Sequence, residues 1–215
     1  MIELALIFQP VVDVMGQQQA AFNQADTFNG NHGDHMLEIF ELATQAARDK
    51  AGETLSDAMQ HAATRLAGMK ENGSAQVYAH GLAAFAQQFS EQSISLDDLV
   101  YYVQGVLLEN QKKSAKEVDI GASSDKKAGD VLKALIAGLA GWQKAEQEET
   151  QISLLDLSYL FDLGVAYMSA KARGGSKAKI IADAAISVSP LNDVLYRAES
   201  GRLAIQTLLE TMQLN

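Results

Sequence analysis

Cysteine is absent from all 215 residues. That excludes disulfide frameworks, thiolate catalysis and cysteine-held zinc. Proline occurs twice and tryptophan once, and aromatic residues make up only 7%. Basic residues are scarce too, with 17 Lys+Arg against 27 Asp+Glu and a formal net charge of −10. An acidic surface repels phosphate backbones, so nucleic acid is not an expected partner. No apolar run approaches the ~20 residues of a membrane span, so no membrane role is expected. The first residues carry Glu3 and no basic stretch of a secretory leader. The cytoplasm is the expected compartment. Apolar residues reach 47% and charged residues 20%, the balance of an ordered globular chain rather than a disordered one. The length suits one domain over residues 1–215, with a sizeable core.

What is present is helix-forming residues, and apolar spacings of three and four recur while sustained alternation does not. Leu4, Phe8, Val11, Val12 and Met15 form a first stripe, in which Pro10 predicts a kink or a restart. Met36, Ile39, Phe40 and Ala43 form a second. Thr54 to Asp57 is a capping box that opens a third, through Met59, Ala63 and Leu66. Val77, Gly81, Ala84 and Phe85 predict a close-packing helix. Further boxes at Ser95–Asp98 and Ser153–Asp156 open stripes at Leu99–Leu107 and Leu157–Met168, with Leu132–Leu139 between them. The last stripe is Leu203, Leu208, Leu209 and Met212. These patterns predict an all-α chain of about eight helices without an internal repeat.

Chemistry concentrates in the loops. Asp26 to Met36 holds two Asp, two Asn, two Gly and the pair His32 and His35. Asp26, Asn29, Asn31 and Asp34 offer the oxygen ligands that Mg²⁺ requires, and the helix start that follows favours phosphate. The same residues are also what turns and Asx caps are made of, and that plainer account stands beside the first. Zinc has only His32 and His35 there and no third ligand. Asn72-Gly73-Ser74 precedes a helix and fits either an anion cradle or a simple N-cap. Lys171, Arg173, Lys177 and Lys179 surround Gly174-Gly175. That local reversal of sign suits polyphosphate, and equally a solvated turn. No P-loop or G-x-G-x-x-G pattern occurs.

In this order the segments resemble the DhaL-type domain, the nucleotide-binding L subunit of dihydroxyacetone kinases that also opens bacterial fatty acid kinases. Its first signature, D, a gap, then D-x-D-H-G-x-N-M, is matched by Asp26 and by Asn29-Gly30-Asn31-His32-Gly33-Asp34-His35-Met36. The small-residue signature resembles Gly73 to His80, and G-D-K-T-M-x-D resembles Ser124 to Asp130. A-R-K-G-R is similar to Ala172 to Lys177, and the D-P-G turn to Glu199-Ser200-Gly201.

The resemblance implies a barrel of mostly antiparallel helices that caps ATP or ADP at one open end. The phosphate acceptor would be held by a partner subunit or domain. It further implies nucleotide contacts at His32, Gly33, Asp34, His35, Gly73, Ser74, Lys177, Glu199, Ser200 and Gly201. Metal would fall at Asp26, Asn29 and Asn31, where the family has three carboxylates and this chain has one. Mg²⁺ is therefore expected at a weak or single site, because affinity follows ligand charge. Two functions remain open on this reading: a phosphotransferase subunit with a degenerate metal site, or a ligand-binding or regulatory module that has lost Mg-ATP chemistry.

Overall fold

The computed structural model describes residues 3–90 and 157–214, and every regular element among them is a helix. Seven α-helices occur there: α1 (Leu4–Ala25), α2 (His32–Asp49), α3 (Leu55–Ala67), α4 (Gly73–Ser90), α5 (Leu157–Arg173), α6 (Lys177–Ser187) and α7 (Leu195–Leu214). A 3₁₀ turn, Pro190–Asp193, joins the last two. The stripes at Leu99–Leu107 and Leu132–Leu139, the Ser95 and Ser153 boxes and the Ser124–Asp130 segment lie outside the described residues. None of the described helices is long and apolar enough to cross a membrane.

The sequence signals for helix ends are realised as hydrogen bonds. Thr54 Oγ1 accepts from the Asp57 N–H at 3.1 Å, and its hydroxyl donates to Asp57 Oδ2 at 2.6 Å. Ser176 caps α6 in the same way, through the Lys179 N–H. Pro10 neither restarts nor ends α1, which runs unbroken through it. The acceptor it leaves without an intrahelical donor is the Leu6 carbonyl, on a residue 57% exposed, where water can serve it. On α4 the buried face is Ala75, Tyr78, Ala79, Leu82, Phe85 and Ala86, so Val77 and Ala84 of the expected stripe are only half-buried. On α5 the expected core residue Met168 is exposed, and Ala170 is buried instead.

One apolar core joins α1, α2, α3, α4, α6 and α7 through residues such as Ile7, Met15, Met36, Ile39, Met59, Phe85, Ile186 and Leu208. Burial at these positions is nearly complete, and each large side chain removed from water contributes roughly 1.5–3 kcal/mol. Two glycines set how closely the helices approach. A Cβ on Gly33 would collide with the Gln19 backbone carbonyl and come within 2.9 Å of Asn23 Oδ1, so α2 begins directly against the last turns of α1. A Cβ on Gly201 would meet Ile186 Cδ1 at 2.8 Å, where α7 crosses α6.

The Gly33 crossing gives a direct test. Because its neighbour is backbone, Gly33→Ala should cost about 3 kcal/mol. Gly16→Ala, whose Cβ meets Leu37 only at 3.9 Å, should be neutral or stabilising by up to about 1 kcal/mol. Urea midpoints of the two variants check the contrast, and equal destabilisation by both would contradict the close crossing.

Candidate functional site

The site forms where three helices begin. The first turns of α2, α4 and α7 face a common pocket of about 190 Å³. Each such end carries N–H groups without intrahelical partners and the positive end of a helix dipole.

Its first wall is the loop from α1 to α2. Asp26 is buried, and its Oδ1 accepts from the Phe28 N–H at 3.0 Å, an Asx turn. Its Oδ2 accepts from the Asn31 N–H at 3.3 Å. Burial by itself raises the Asp26 carboxyl, but these bonds, with those from the Tyr196 side chain and the Asn29 backbone, outweigh it and hold the group below its ordinary range. The carboxylate thus folds the loop around itself. Asn29 and Asn31 are carried into the pocket wall with it, as is Phe28, which is 89% exposed at the rim. The side-chain oxygen of Asn31 is buried without a hydrogen-bond partner among the described residues.

Asn72 builds the second wall. It is buried, its Oδ1 accepts from the Ala75 N–H at 3.0 Å, and its amide donates to the His35 carbonyl. That ties the start of α4 to the first turn of α2 and presents Glu71, Gly73 and Ser74 to the pocket. Tyr196 and Arg197, in the first turn of α7, complete it.

His32 links these walls. Its Nε2 lies 2.8 Å from Ser200 Oγ, joining α2 to α7, and its ring packs 4.8 Å from that of Tyr196 and 6.2 Å from that of Phe22. The Ser200 hydroxyl also donates to the Arg197 carbonyl. Burial, followed by the Arg197 charge, lowers the imidazole pKa to about 4, against opposing pulls from Asp26 and a backbone bond to Tyr196. His32 is therefore neutral at pH 7.

Of the residues expected from sequence, Asp26, Asn29, Asn31, His32, His35, Gly73 and Ser74 meet at this pocket, and Ser200 holds His32 from behind. Gly33 and Asp34 face α1 instead. Asp34 Oδ1 accepts from Gln19 and Asn23 at 2.8 Å each, and its N–H donates to Asn23 Oδ1. Glu199 is exposed outside the pocket, and Gly201 is buried against α6. Lys177 opens α6, the far end of which leads to α7, so ~15 Å of helix separates it from that junction. Neither it nor Lys171, Arg173 or Lys179 is part of the pocket wall. Gly174 and Gly175 have φ of 80° and 124°, so this basic segment is a tight turn that needs glycine.

Sequence reasoning missed Phe28, Glu71, Tyr196 and Arg197. The signal for the last two was available, since they lie in the turn before Glu199-Ser200-Gly201, in the first turn of a helix.

Comparison with known proteins supplies no further guide: no family model, curated protein or solved structure matches the chain.

The depressed pKa of His32 makes stability pH-dependent. The unfolded imidazole takes a proton near 6.5 and the folded one only near 4, so protonation favours unfolding and stability falls through that window. Between pH 7 and pH 5 the loss from this group should be about 2 kcal/mol. Denaturant unfolding at the two pH values checks it, with His32→Gln expected to flatten most of the difference. An equally steep loss in the variant would assign the effect elsewhere.

Proposed function

We propose that the chain is a DhaL-like domain that binds the phosphate end of a nucleotide such as ATP or ADP, as a ligand-binding or regulatory module rather than as a phosphoryl-transfer catalyst. The observation that carries this reading is the convergence of three helix starts and the Arg197 side chain on one pocket. Orphan N–H groups, dipole ends and a guanidinium are the groups that receive phosphate. The resemblance to the DhaL pattern in the same loop and the same α4 start agrees in kind.

The size of the pocket divides the ligand. At about 190 Å³ it is smaller than the ~300–1,000 Å³ that drug-sized ligands occupy, so it takes the phosphates and leaves the nucleoside over the rim. Phe28 stands there with its ring open to solvent. An aromatic face of this kind stacks on a base, worth ~1–3 kcal/mol.

Against catalysis stands the donor set. Asp26 holds its own loop, Asn29 and Asn31 are neutral amides, and among the described residues no three of His, Asp and Glu group together to hold a metal. A charge-neutralising clamp on the transferring phosphoryl group is what such transfer requires. A second reading, a phosphotransferase subunit whose partner presents the acceptor, is favoured by Leu195, 73% exposed beside Tyr196 at the mouth. The incomplete carboxylate set weighs against it.

Calorimetric titration with ADP and with pyrophosphate tests the proposal. Both should bind, and Phe28→Ala should weaken ADP by roughly tenfold while leaving pyrophosphate nearly unchanged. Failure of either ligand to bind the unmodified chain would overturn the phosphate assignment. An equal loss for both ligands would remove the base from the rim.

A further inference from the structure

We infer that Arg197 supplies, from its side chain, the positive charge that a divalent cation would bring to a phosphate site, so that the pocket holds a diphosphate group without metal. This rests on the phosphate reading above and specifies how the charge is met.

The residues at the expected metal positions do not fit Mg²⁺. Both oxygens of Asp26 accept backbone N–H groups of their own loop, so the carboxylate is already coordinated by the protein. Asn29 and Asn31 bring dipoles, which hardly offset the desolvation of a dication. The replacement of carboxylate by amide has a second consequence. A phosphate approaching those two positions meets neutral amides; of the carboxylates in the wall, Asp26 is engaged by its own loop and Glu71 stands at the α4 start.

Arg197 is placed to use that opening. Two cations of α6 and α7 are paired: Lys179 Nζ lies 2.6 Å and Arg202 Nε 3.5 Å from the Asp183 carboxylate. Arg197 forms no salt bridge among the described residues, though it stands in the pocket wall of a protein of charge −10. Its backbone is fixed in the first turn of α7, and the Ser200–His32 bond locks that turn to α2. A guanidinium offers a planar fork that matches two phosphate oxygens at once, and it remains charged at every physiological pH.

The test is titration of the full chain with ADP and pyrophosphate, once with EDTA and once with excess Mg²⁺. The affinities in the two conditions should agree within about twofold. In EDTA, Arg197→Gln should lose roughly tenfold or more, the value of a charge-assisted bidentate contact, and Arg197→Lys should recover part of it. Arg173→Gln, in the remote basic turn, should change nothing. Asn29→Asp combined with Asn31→Asp should weaken metal-free binding and make it respond to Mg²⁺. Circular dichroism spectra that superimpose on the parent's establish that each variant is folded. Binding that appears only with Mg²⁺ would overturn this inference while sparing the phosphate site. Full affinity in Arg197→Gln would overturn it as well, and absence of binding in both conditions would remove the inference and the site together.

Discussion

Everything at the candidate site depends on a carboxylate that faces inward. Asp26 ends α1, and instead of pointing to solvent it accepts the N–H groups of Phe28 and Asn31. Hydrogen bonds to a charged group contribute roughly 1.5–3 kcal/mol each, enough to fix a short glycine-bearing loop in one shape. That shape decides where α2 begins, and the start of α2 determines what Asn72 can reach and how His32 meets Ser200. Gly33 completes the constraint, since a larger residue would push α2 off α1. Loop, crossing and pocket are one mechanical unit.

The same unit sets the charges at the site, where the Arg197 guanidinium stands in one wall with the carboxylates of Asp26 and Glu71. Beside those two carboxylates the pocket gathers three helix starts, the amides of Asn29 and Asn31, and an arginine without a salt bridge among the described residues. The local potential follows from backbone direction as much as from side chains. Neutral His32 fits this arrangement: held between the Phe22 and Tyr196 rings, it packs as an aromatic and bonds as a hinge between α2 and α7.

The helices were legible in the sequence because their signals are local. The Thr54 cap, the Met36–Ala43 stripe and the helix start after Asn72 all depend on residues within one or two turns, and all appear as expected. Pro10 predicts a kink or a restart, and no restart occurs, because flanking turns and core burial carry α1 through it. At the site, the loop residues and Ser74 were legible from residue type alone. What sequence could not rank was direction. Asp34 is as acidic as Asp26 and eight positions away, but one turn of α2 aims it at Gln19 and Asn23. The basic turn around Gly174 drew attention by charge, though the chain path sets it at the far end of α6 from the start of α7. Arg197 stood alone in sequence and gained its meaning only from the convergence of three helix ends.

The central claim is that the ends of α2, α4 and α7 receive one anion together. Amide chemical-shift mapping during titration of the isotope-labelled chain with ADP tests it most directly, because it reads those N–H groups themselves. The account predicts that the largest shifts fall together on His32 and Gly33, on Gly73 and Ser74 and on Tyr196 and Arg197, with one shared saturation curve. Shifts centred on the Lys171–Lys179 turn, or on one helix start with the other two silent, would contradict it.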